Sequence, residues 1–359
     1  MSSWPIPSAL DAATQTFPVL TAPQIARIAV HGRARAVQLG EVLLEQGDKP
    51  QSFFVVTAGE LEIVRPSRAT ETHITTHGPG QFTGEVNLMS GRRSLVRIKV
   101  TKAGEVIEVD RERMLGLIQS DVELSEILMR AFILRRVLLI AQGIGDVVLV
   151  GSHHSAGTLR IKEFLMRNGH PYSYVDLESD KDVEHLLDQF HVSAADIPVV
   201  ICSDKTVLRN PSNEELADCL GFNDVINEQQ VRDLVVIGGG PAGLAAAVYG
   251  ASEGLDVLVL EASSPGGQAG SSSKIENYLG FPIGVSGQEL AARAYHQAQK
   301  FGAQIMVTRG AARLSCNSKP YVVEVADGSH VPTRAIVIAT GAQYRKLPLE
   351  DLARFEGAG

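Results

Sequence analysis

The pattern of apolar and polar positions divides the chain into three segments after a short leader, residues 1–20. In residues 21–143, apolar runs such as SFFVVTAGELEIVR and RIKVTKAGEVIEV are separated by Gly, Asp and Pro. Such turn-bounded runs predict the strands of an antiparallel β-roll, with turns at Gly47-Asp48 and Gly59-Glu60. The following run, RERMLGLIQSDVELSEILMRAFILRRVLLI, has apolar residues at helical spacing. Helices should therefore close this first segment.

The second segment, residues 146–227, changes to an alternating α/β pattern. The runs DVVLV and YSYVDLE predict strands, whereas GTLRIKEFLMRNG and KDVEHLLDQFHV predict amphipathic helices. IPVVICSDKTVL then predicts a hairpin, and EELADCLGF predicts a closing helix. The predicted order of elements is β-α-β-α-β-β-α.

The third segment, residues 229–359, contains the most specific pattern of the chain. An apolar strand runs into Gly238-x-Gly240-x-x-Gly243, a helix of small residues follows, and a second apolar strand ends on Glu261. This arrangement is typical of a dinucleotide-binding βαβ unit. Gly238 permits the tight turn, Gly240 lets a pyrophosphate approach the backbone, and Gly243 lets the helix pack closely on the strand. The helix N-terminus supplies N–H groups to the phosphates, and Glu261 can accept hydrogen bonds from a ribose hydroxyl.

Composition and charge exclude several classes of partner and site. The 359 residues are 44% hydrophobic and carry a net charge of −8, so nucleic acid is not an expected partner. The sequence has no apolar stretch of the ~20 residues that a membrane span needs. Three scattered cysteines form no paired framework and suit a cytoplasmic location, with Cys202 and Cys219 expected as buried thiols. The adjacent His153 and His154 lack a third ligand nearby, so we expect no metal site.

The first segment resembles the cyclic nucleotide-binding domain family. Its run FTGEVNLMSGRRSLVRIKV contains Gly84 and Glu85, which match the Gly-Glu of the family's phosphate-binding cassette. The resemblance implies that Glu85 binds the ribose and that Arg92 or Arg93 pairs with the cyclic phosphate. The interval to either arginine is shorter than in the family, so a roll without a nucleotide remains an open alternative.

The second segment resembles the thioredoxin/glutaredoxin fold. The resemblance implies a cis bond between Ile197 and Pro198. An active glutaredoxin has Cys-x-x-Cys at the start of the first helix, where the helix N-terminus lowers a thiol pKa. This chain has Ser155-Ala156-Gly157-Thr158 there, which excludes dithiol chemistry at that position.

The third segment resembles the FAD-binding half of bacterial thioredoxin reductase, through GGGPAG, GGQ, IENYLGFP and ATG. The resemblance implies a Rossmann-like lobe that binds FAD. The pyrophosphate would lie on the glycine turn and Glu261 would hold the adenosine ribose. Gly267 and Gln268 would lie along the ribityl and flavin, Asn277 would approach the isoalloxazine, and Thr340 and Gly341 would close the strand near the FAD. The predicted cofactor-binding residues are Gly238, Gly240, Pro241, Ala242, Gly243, Glu261, Gly267, Gln268, Asn277, Thr340 and Gly341.

The family pattern continues with an NADPH domain that carries a Cys-x-x-Cys, and no second G-x-G-x-x-G follows here. We therefore expect the FAD-binding lobe to be incomplete and NADPH to be used only if that domain is supplied. We also expect apolar surface near Val337 to Ala342 to be exposed. No catalytic residue is assigned.

The leading interpretation is an FAD-binding oxidoreductase with a cyclic nucleotide-type sensor. The alternative is a non-catalytic cyclic nucleotide-sensing or scaffold protein with a remnant flavin lobe. A redox partner protein, and a homodimer through AFILRRVLLI, are further expectations.

Overall fold

A computed structural model of the protein describes residues 14–66, 71–84, 86–141, 147–178, 196–202 and 206–342. The chain forms two compact units, Met1–Ile144 and Gly145–Gly359. Glu85, most of the leader and the predicted helix KDVEHLLDQFHV lie outside the described residues. Within the described ranges, no helix has the length and apolar character that crossing a membrane requires.

The first unit is built on one antiparallel sheet of five strands. Its order is β1-β5-β3-β4, and β2 also pairs with β5. The strands are β1 (Arg33–Val37), β2 (Val42–Leu44), β3 (Ser52–Pro66), β4 (Glu71–His77) and β5 (Arg97–Asp110). The predicted strands are confirmed, and β1 is an additional strand that the apolar pattern did not indicate.

The turn predicted at Gly59-Glu60 is wrong, because β3 runs through both residues. Gly59 has φ +88° and lies where the pairing of β3 with β5 shifts register. A Cβ on Gly59 would lie 2.5 Å from the carbonyl oxygen of Lys102. Gly59 therefore lies in a β-bulge where the backbones of β3 and β5 come close together. Such a bulge favours glycine for the same reasons that a turn does. The turn at Gly47 is confirmed.

Helices also contribute to the first unit. They are α1 (Ala22–Ala29), α2 (Val86–Ser90), α3 (Arg111–Ser120) and α4 (Val122–Ala141). Asp110 caps α3 by accepting a 2.9 Å hydrogen bond from the N–H of Arg113. Phe132 of α4 packs edge-on against Phe53 and Phe82 in the core. These fully buried rings hold the long helix on the roll.

The second unit begins with a four-stranded sheet of order β7-β6-β8-β9. The strands are β6 (Val147–Gly151), β7 (Tyr172–Asp176), β8 (Val199–Ile201) and β9 (Val207–Arg209), and the helices are α5 (Ala156–Arg167) and α6 (Asn213–Cys219). β6 pairs in parallel with β7 and antiparallel with β8. The predicted strands, hairpin and closing helix are confirmed, and the Ile197–Pro198 bond is cis as the resemblance implied.

The expectation that the cysteines do not pair is wrong. Cys202, after β8, and Cys219, at the end of α6, form a disulfide. The hairpin returns the chain so that α6 packs on this sheet, and the two Cα atoms come within 6.7 Å, a separation that a disulfide bridges. Cys316 is free and exposed. Because two of the three cysteines pair, the cysteine composition no longer supports the expected location in a reducing cytoplasm.

We expect Cys219→Ser to lower the free energy of unfolding of the second unit by about 3 kcal/mol under non-reducing conditions. The two cysteines are 17 residues apart, and closing a loop of that size restricts the unfolded chain by about this amount. Urea unfolding measures the change. Cys316→Ser is the matched control and should unfold like the wild type, whereas an equal loss in both variants would contradict the expectation.

The remainder of the second unit is a six-stranded sheet of order β12-β11-β10-β15-β14-β13. β10, β11, β12 and β15 are parallel, while β13 and β14 add an antiparallel edge. The strands are β10 (Arg232–Ile237), β11 (Val257–Glu261), β12 (Gln304–Val307), β13 (Ala311–Ser315), β14 (Tyr321–Val325) and β15 (His330–Ile338), with helices α7 (Pro241–Ser252) and α8 (Gly287–Lys300).

Both faces of this sheet contribute to apolar cores. Val236 and Val259 face a cluster that contains Leu244 of α7 and Tyr295 of α8. Their neighbours Val235 and Leu258 face a second cluster, formed with residues of β12, β14 and β15. Strands buried on both sides explain the continuous apolar runs in the sequence. The multidomain fold with a β-roll and a Rossmann-like lobe is confirmed.

Candidate functional site

The glycine turn between β10 and α7 lies at the carboxyl end of the parallel strands. Its first residue, Gly238, has φ +104° and donates a 2.8 Å hydrogen bond from its N–H to the carbonyl oxygen of Leu260. A Cβ on Gly238 would lie 2.4 Å from the carbonyl oxygen of Ala339. The turn therefore requires glycine for both its backbone angle and the passage of the chain after β15.

Gly243 controls how closely α7 approaches β10. A Cβ at this position would lie 1.8 Å from the carbonyl oxygen of Gly238. Only glycine lets the first turn of the helix touch the strand end, as the motif predicts.

Gly240 has a different environment, because the protein itself leaves space there. A Cβ on Gly240 would meet only the Cα of Gly267, at an ordinary contact distance of 3.8 Å, and its φ is −72°. Neither packing nor backbone strain explains a glycine at this position.

The N-terminus of α7 is free of side-chain caps. Gly240 is the N-cap and Pro241 follows it, so the cap residue offers no side-chain acceptor. The N–H groups of Ala242 and Gly243 belong to the first helical turn, where no intrahelical acceptor exists. Ala242 is exposed. Such free N–H donors and the positive end of the helix dipole are the groups with which helix N-termini attract anions.

Glu261, at the end of β11, lies beside the glycine turn as predicted. Its Oε2 accepts a 2.6 Å hydrogen bond from the N–H of Gly239, and its Oε1 accepts a 2.8 Å bond from Ser263. The residue is only 8% exposed. Each carboxylate oxygen has two acceptor positions, so each can take a further hydrogen bond from a hydroxyl. The two backbone contacts hold the carboxylate in one position.

A second glycine turn closes against the first. Gly266 and Gly267 both have positive φ, and Gly266 donates a 2.8 Å hydrogen bond to the carbonyl oxygen of Gly239. Gln268 donates from Nε2 to the carbonyl oxygen of Ala342 at 2.5 Å. The structure thus brings the GGQ turn and the ATG turn together, although they are far apart in sequence.

The remaining predicted cofactor-binding residues are exposed. Thr340 and Gly341 follow β15 directly, and the N–H of the preceding Ala339 donates to Ile237 at 2.8 Å. Asn277 lies in an exposed loop that is closed by a bridge between Ile275 and Val285. Exposure of the apolar surface near the end of β15 is confirmed at Ile338, which is 65% exposed.

Arg167 is a residue at this site that the sequence analysis missed. It lies on α5 and donates from its guanidinium to the carbonyl oxygen of Gly267 at 2.7 Å. Asn168 donates to Ser264 Oγ at 3.2 Å. These contacts connect the four-stranded sheet region to the second glycine turn, and no local sequence signal indicates them.

The first unit contains a separate, largely apolar pocket inside the roll. Its lining is mainly apolar and includes Ile63, Leu88 and Leu139. Gly84 lies on its wall, whereas Glu85 is outside the described residues. Among the described residues, Arg92 and Arg93 are not on the wall, and Ser94 is.

Arg135 and His77 are polar residues of this pocket that the sequence did not indicate. Arg135, on α4, donates to the carbonyl oxygens of Gly84 at 2.8 Å and Thr16 at 3.0 Å. Its guanidinium also lies 4.6 Å from the centre of the Phe82 ring, a cation–π contact. His77 is buried, and burial together with the charge of Arg135 lowers its pKa to about 3.

Two regions of the chain match models of known families. Residues 34–121 match the model of the cyclic nucleotide-binding domain family. Residues 232–359 match the model of the pyridine nucleotide-disulphide oxidoreductase family. The first match covers the roll and α3, and the second contains the glycine turns and Glu261.

Curated relatives and solved structures match a little more than a third of the chain. Thioredoxin reductase of Bacillus subtilis (strain 168) is 35% identical over 134 residues, covering 37% of this chain and 42% of the relative. Thioredoxin reductase of Ureaplasma parvum serovar 3 is 38% identical over 131 residues, covering 36% and 41%. The crystal structure of Lactococcus lactis thioredoxin reductase has a TM-score of 0.33 and 31% identity, covering 35% of this chain and 40% of that one.

The chain therefore spans 41–42% of the length of these two curated relatives. One region of it matches the cyclic nucleotide-binding domain model, and another matches the pyridine nucleotide-disulphide oxidoreductase model; the chain is also similar to thioredoxin reductases over part of its length.

Proposed function

We propose that the third segment binds FAD and serves an oxidoreductase. The observation that carries this proposal is the uncapped N-terminus of α7, with the fixed carboxylate of Glu261 beside it. The space left at Gly240 supports it further, because the protein's own packing gives no reason for a glycine there. An anion-binding helix terminus next to a ribose acceptor suits a dinucleotide.

The residues present fit FAD along its length. The turn from Gly238 to Gly243 would hold the pyrophosphate and Glu261 the adenosine ribose. Gly267, Gln268 and Asn277 would line the path towards the flavin, which Thr340 and Gly341 would close. When bound, the flavin supplies the electron-transfer chemistry, and the protein contributes binding, orientation and local polarity.

Thioredoxin reductases are FAD enzymes that use NADPH. We propose the same electron source for the complete architecture of this protein, with a redox partner protein as the final acceptor. The similarity of the third segment to these reductases supports the proposal. NADPH enters the proposal only together with an NADPH-binding domain.

We propose a thioredoxin/glutaredoxin-like domain between the roll and the FAD segment. The order β7-β6-β8-β9, with β6 and β7 parallel and the hairpin antiparallel, supports it. Ser155 caps α5 where an active relative has a cysteine. The hydrogen bond from Arg167 to the carbonyl oxygen of Gly267 gives this domain a positioning role: it holds the second glycine turn.

Glu261→Ala should weaken FAD binding about 10- to 100-fold. A hydrogen bond from a neutral hydroxyl to a charged acceptor contributes about 1.5–3 kcal/mol, and each 1.4 kcal/mol is roughly tenfold in affinity. Titration of FAD with the protein, followed by flavin fluorescence, measures the dissociation constant. Glu253→Ala removes the same charge at the exposed C-terminal end of α7 and is the control. Equal affinities in the two variants would count against the ribose contact.

As a second function we propose that the pocket of the first unit binds a cyclic nucleotide. The pocket in the roll and the family match over residues 34–121 favour this function. Cyclic AMP or cyclic GMP should raise the midpoint of thermal unfolding, because a ligand at about 100 times its dissociation constant stabilises by about 2.7 kcal/mol. AMP is the ligand control, and Glu85→Ala should remove the shift. An unchanged midpoint with both cyclic nucleotides would remove this second function.

A further inference from the structure

Two histidines and two acidic residues meet at one edge of the four-stranded sheet. His153 and His154 lie in the turn between β6 and α5, and Asp176 and Glu178 lie at and just after the end of β7. Because β6 and β7 are parallel, their carboxyl ends are adjacent. The fold thus places Asp176 and Glu178 beside the two histidines, although the acidic residues lie at least 22 positions later in the sequence. The local sequence around the histidines does not indicate this arrangement.

The separations between the donor atoms suit a bound transition metal. Nδ1 of His153 lies 3.7 Å from Oε2 of Glu178, and Nε2 of His154 lies 3.8 Å from the same oxygen. One donor atom from each of these three residues lies within 4.8 Å of the others. A tetrahedral ion with bonds of about 2.05 Å separates its ligands by roughly 3.3 Å. Small rotations of exposed side chains would close the remaining difference.

Neighbouring contacts hold the acidic residues in position. Ser152 Oγ donates to Oε1 of Glu178 at 2.7 Å, which leaves Oε2 facing the histidines. Asp176 lies 3.1 Å from Nδ1 of His153 through Oδ2, and its Oδ1 accepts from the N–H of Glu178 at 3.2 Å.

We propose that His153, His154 and Glu178 form a binding site for Zn²⁺ or a similar divalent transition metal. Two imidazoles and carboxylate oxygens are the donors that zinc takes, whereas Mg²⁺ and Ca²⁺ require mainly oxygen ligands. Three protein ligands leave a coordination position for water or a partner ligand. The site lies before Ser155, at the same end of α5 where a thioredoxin-like protein has its cysteines.

Zinc titration tests the proposal. The full chain, free of any polyhistidine tag and carrying Cys316→Ser to remove the exposed thiol, is treated with a chelator and titrated with Zn²⁺ against a chromophoric competitor. We expect one Zn²⁺ per chain, and we expect His154→Ala or Glu178→Gln to weaken binding at least tenfold. Co²⁺ in place of Zn²⁺ should give the intense visible absorption of a low-coordinate site.

His330→Ala is the matched control, since His330 is also exposed and lies 3.9 Å from a single carboxylate, Glu228. It should bind Zn²⁺ like the parent protein. Circular dichroism shows whether each variant is folded, and the substituted side chains are exposed, so folding should be retained. The proposal is overturned if no Zn²⁺ binds, if His154→Ala and Glu178→Gln bind it as tightly as the parent, or if Mg²⁺ displaces it at equal concentration.

Discussion

Gly243→Ala is expected to weaken FAD binding by at least 100-fold, or about 2.7 kcal/mol. The added Cβ would lie 1.8 Å from the carbonyl oxygen of Gly238 and 3.3 Å from Val236. The first of these atoms belongs to the backbone, so the helix must move away from the strand. That movement would displace both the N-terminal N–H groups of α7 and the turn that Glu261 holds. Flavin fluorescence titration and thermal unfolding of the same samples measure the two consequences.

Gly250→Ala is the control for this experiment, because it makes the same substitution in the same helix. A Cβ on Gly250 would meet only side-chain atoms, the nearest being Leu234 at 3.0 Å and Val257 at 3.1 Å. These methyl groups can move by a few tenths of an ångström, so FAD affinity should stay within about threefold of the wild type, under 1 kcal/mol. A Gly243→Ala protein that binds FAD as tightly as Gly250→Ala would show that close helix–strand packing is not required.

Acidification should destabilise the first unit through His77. The buried imidazole stays neutral in the folded state until about pH 3, whereas in the unfolded chain it takes up a proton near pH 6.5. The unfolded state therefore binds more protons between these values, and stability falls as the pH falls. The loss is roughly 1.4 kcal/mol per pH unit below about pH 6.5, or about 2 kcal/mol at pH 5. It contributes nothing above pH 7, where the side chain is neutral in both states.

Urea unfolding of the first unit at several pH values measures this slope. His77→Phe removes the titrating group while keeping a ring beside Phe17, and its stability should fall less steeply with acidification. His73→Phe makes the same change at an exposed position of β4 and should retain the slope of the wild type. Parallel slopes for the wild type and His77→Phe would contradict the assignment.

The long and strongly patterned elements could be predicted from the sequence. Strands β3 and β5 arise from long apolar runs bounded by turn residues, α4 repeats at helical spacing, and the unit β10–α7–β11 carries its own glycine signature. Strand β1 has the sequence RARAV, in which alanines supply most of the apolar face, so its pattern was too weak to detect. Local signals also mislead where one residue type serves two structures: Gly59 was expected in a turn and lies in a bulge.

The candidate site was predictable only where its parts are close in sequence. The glycine turn and Glu261 belong to one βαβ unit, so their spacing alone brought them together. Arg167 contacts Gly267 across 100 residues, and Arg135 contacts Gly84 across 51. The disulfide likewise depends on how the hairpin returns α6 to the sheet. Such contacts depend on the packing of separate elements, which periodicity does not encode.

Retention of FAD compared with FMN tests the central claim most directly. The claim is that the N-terminus of α7 holds a diphosphate and that Glu261 holds an adenosine ribose, two groups that FAD has and FMN lacks. The full chain is incubated with each flavin, freed of unbound flavin by gel filtration, and examined by absorbance at roughly 450 nm. The account predicts one FAD per chain and no retained FMN. A colourless protein after both incubations, or equal retention of FAD and FMN, would contradict it.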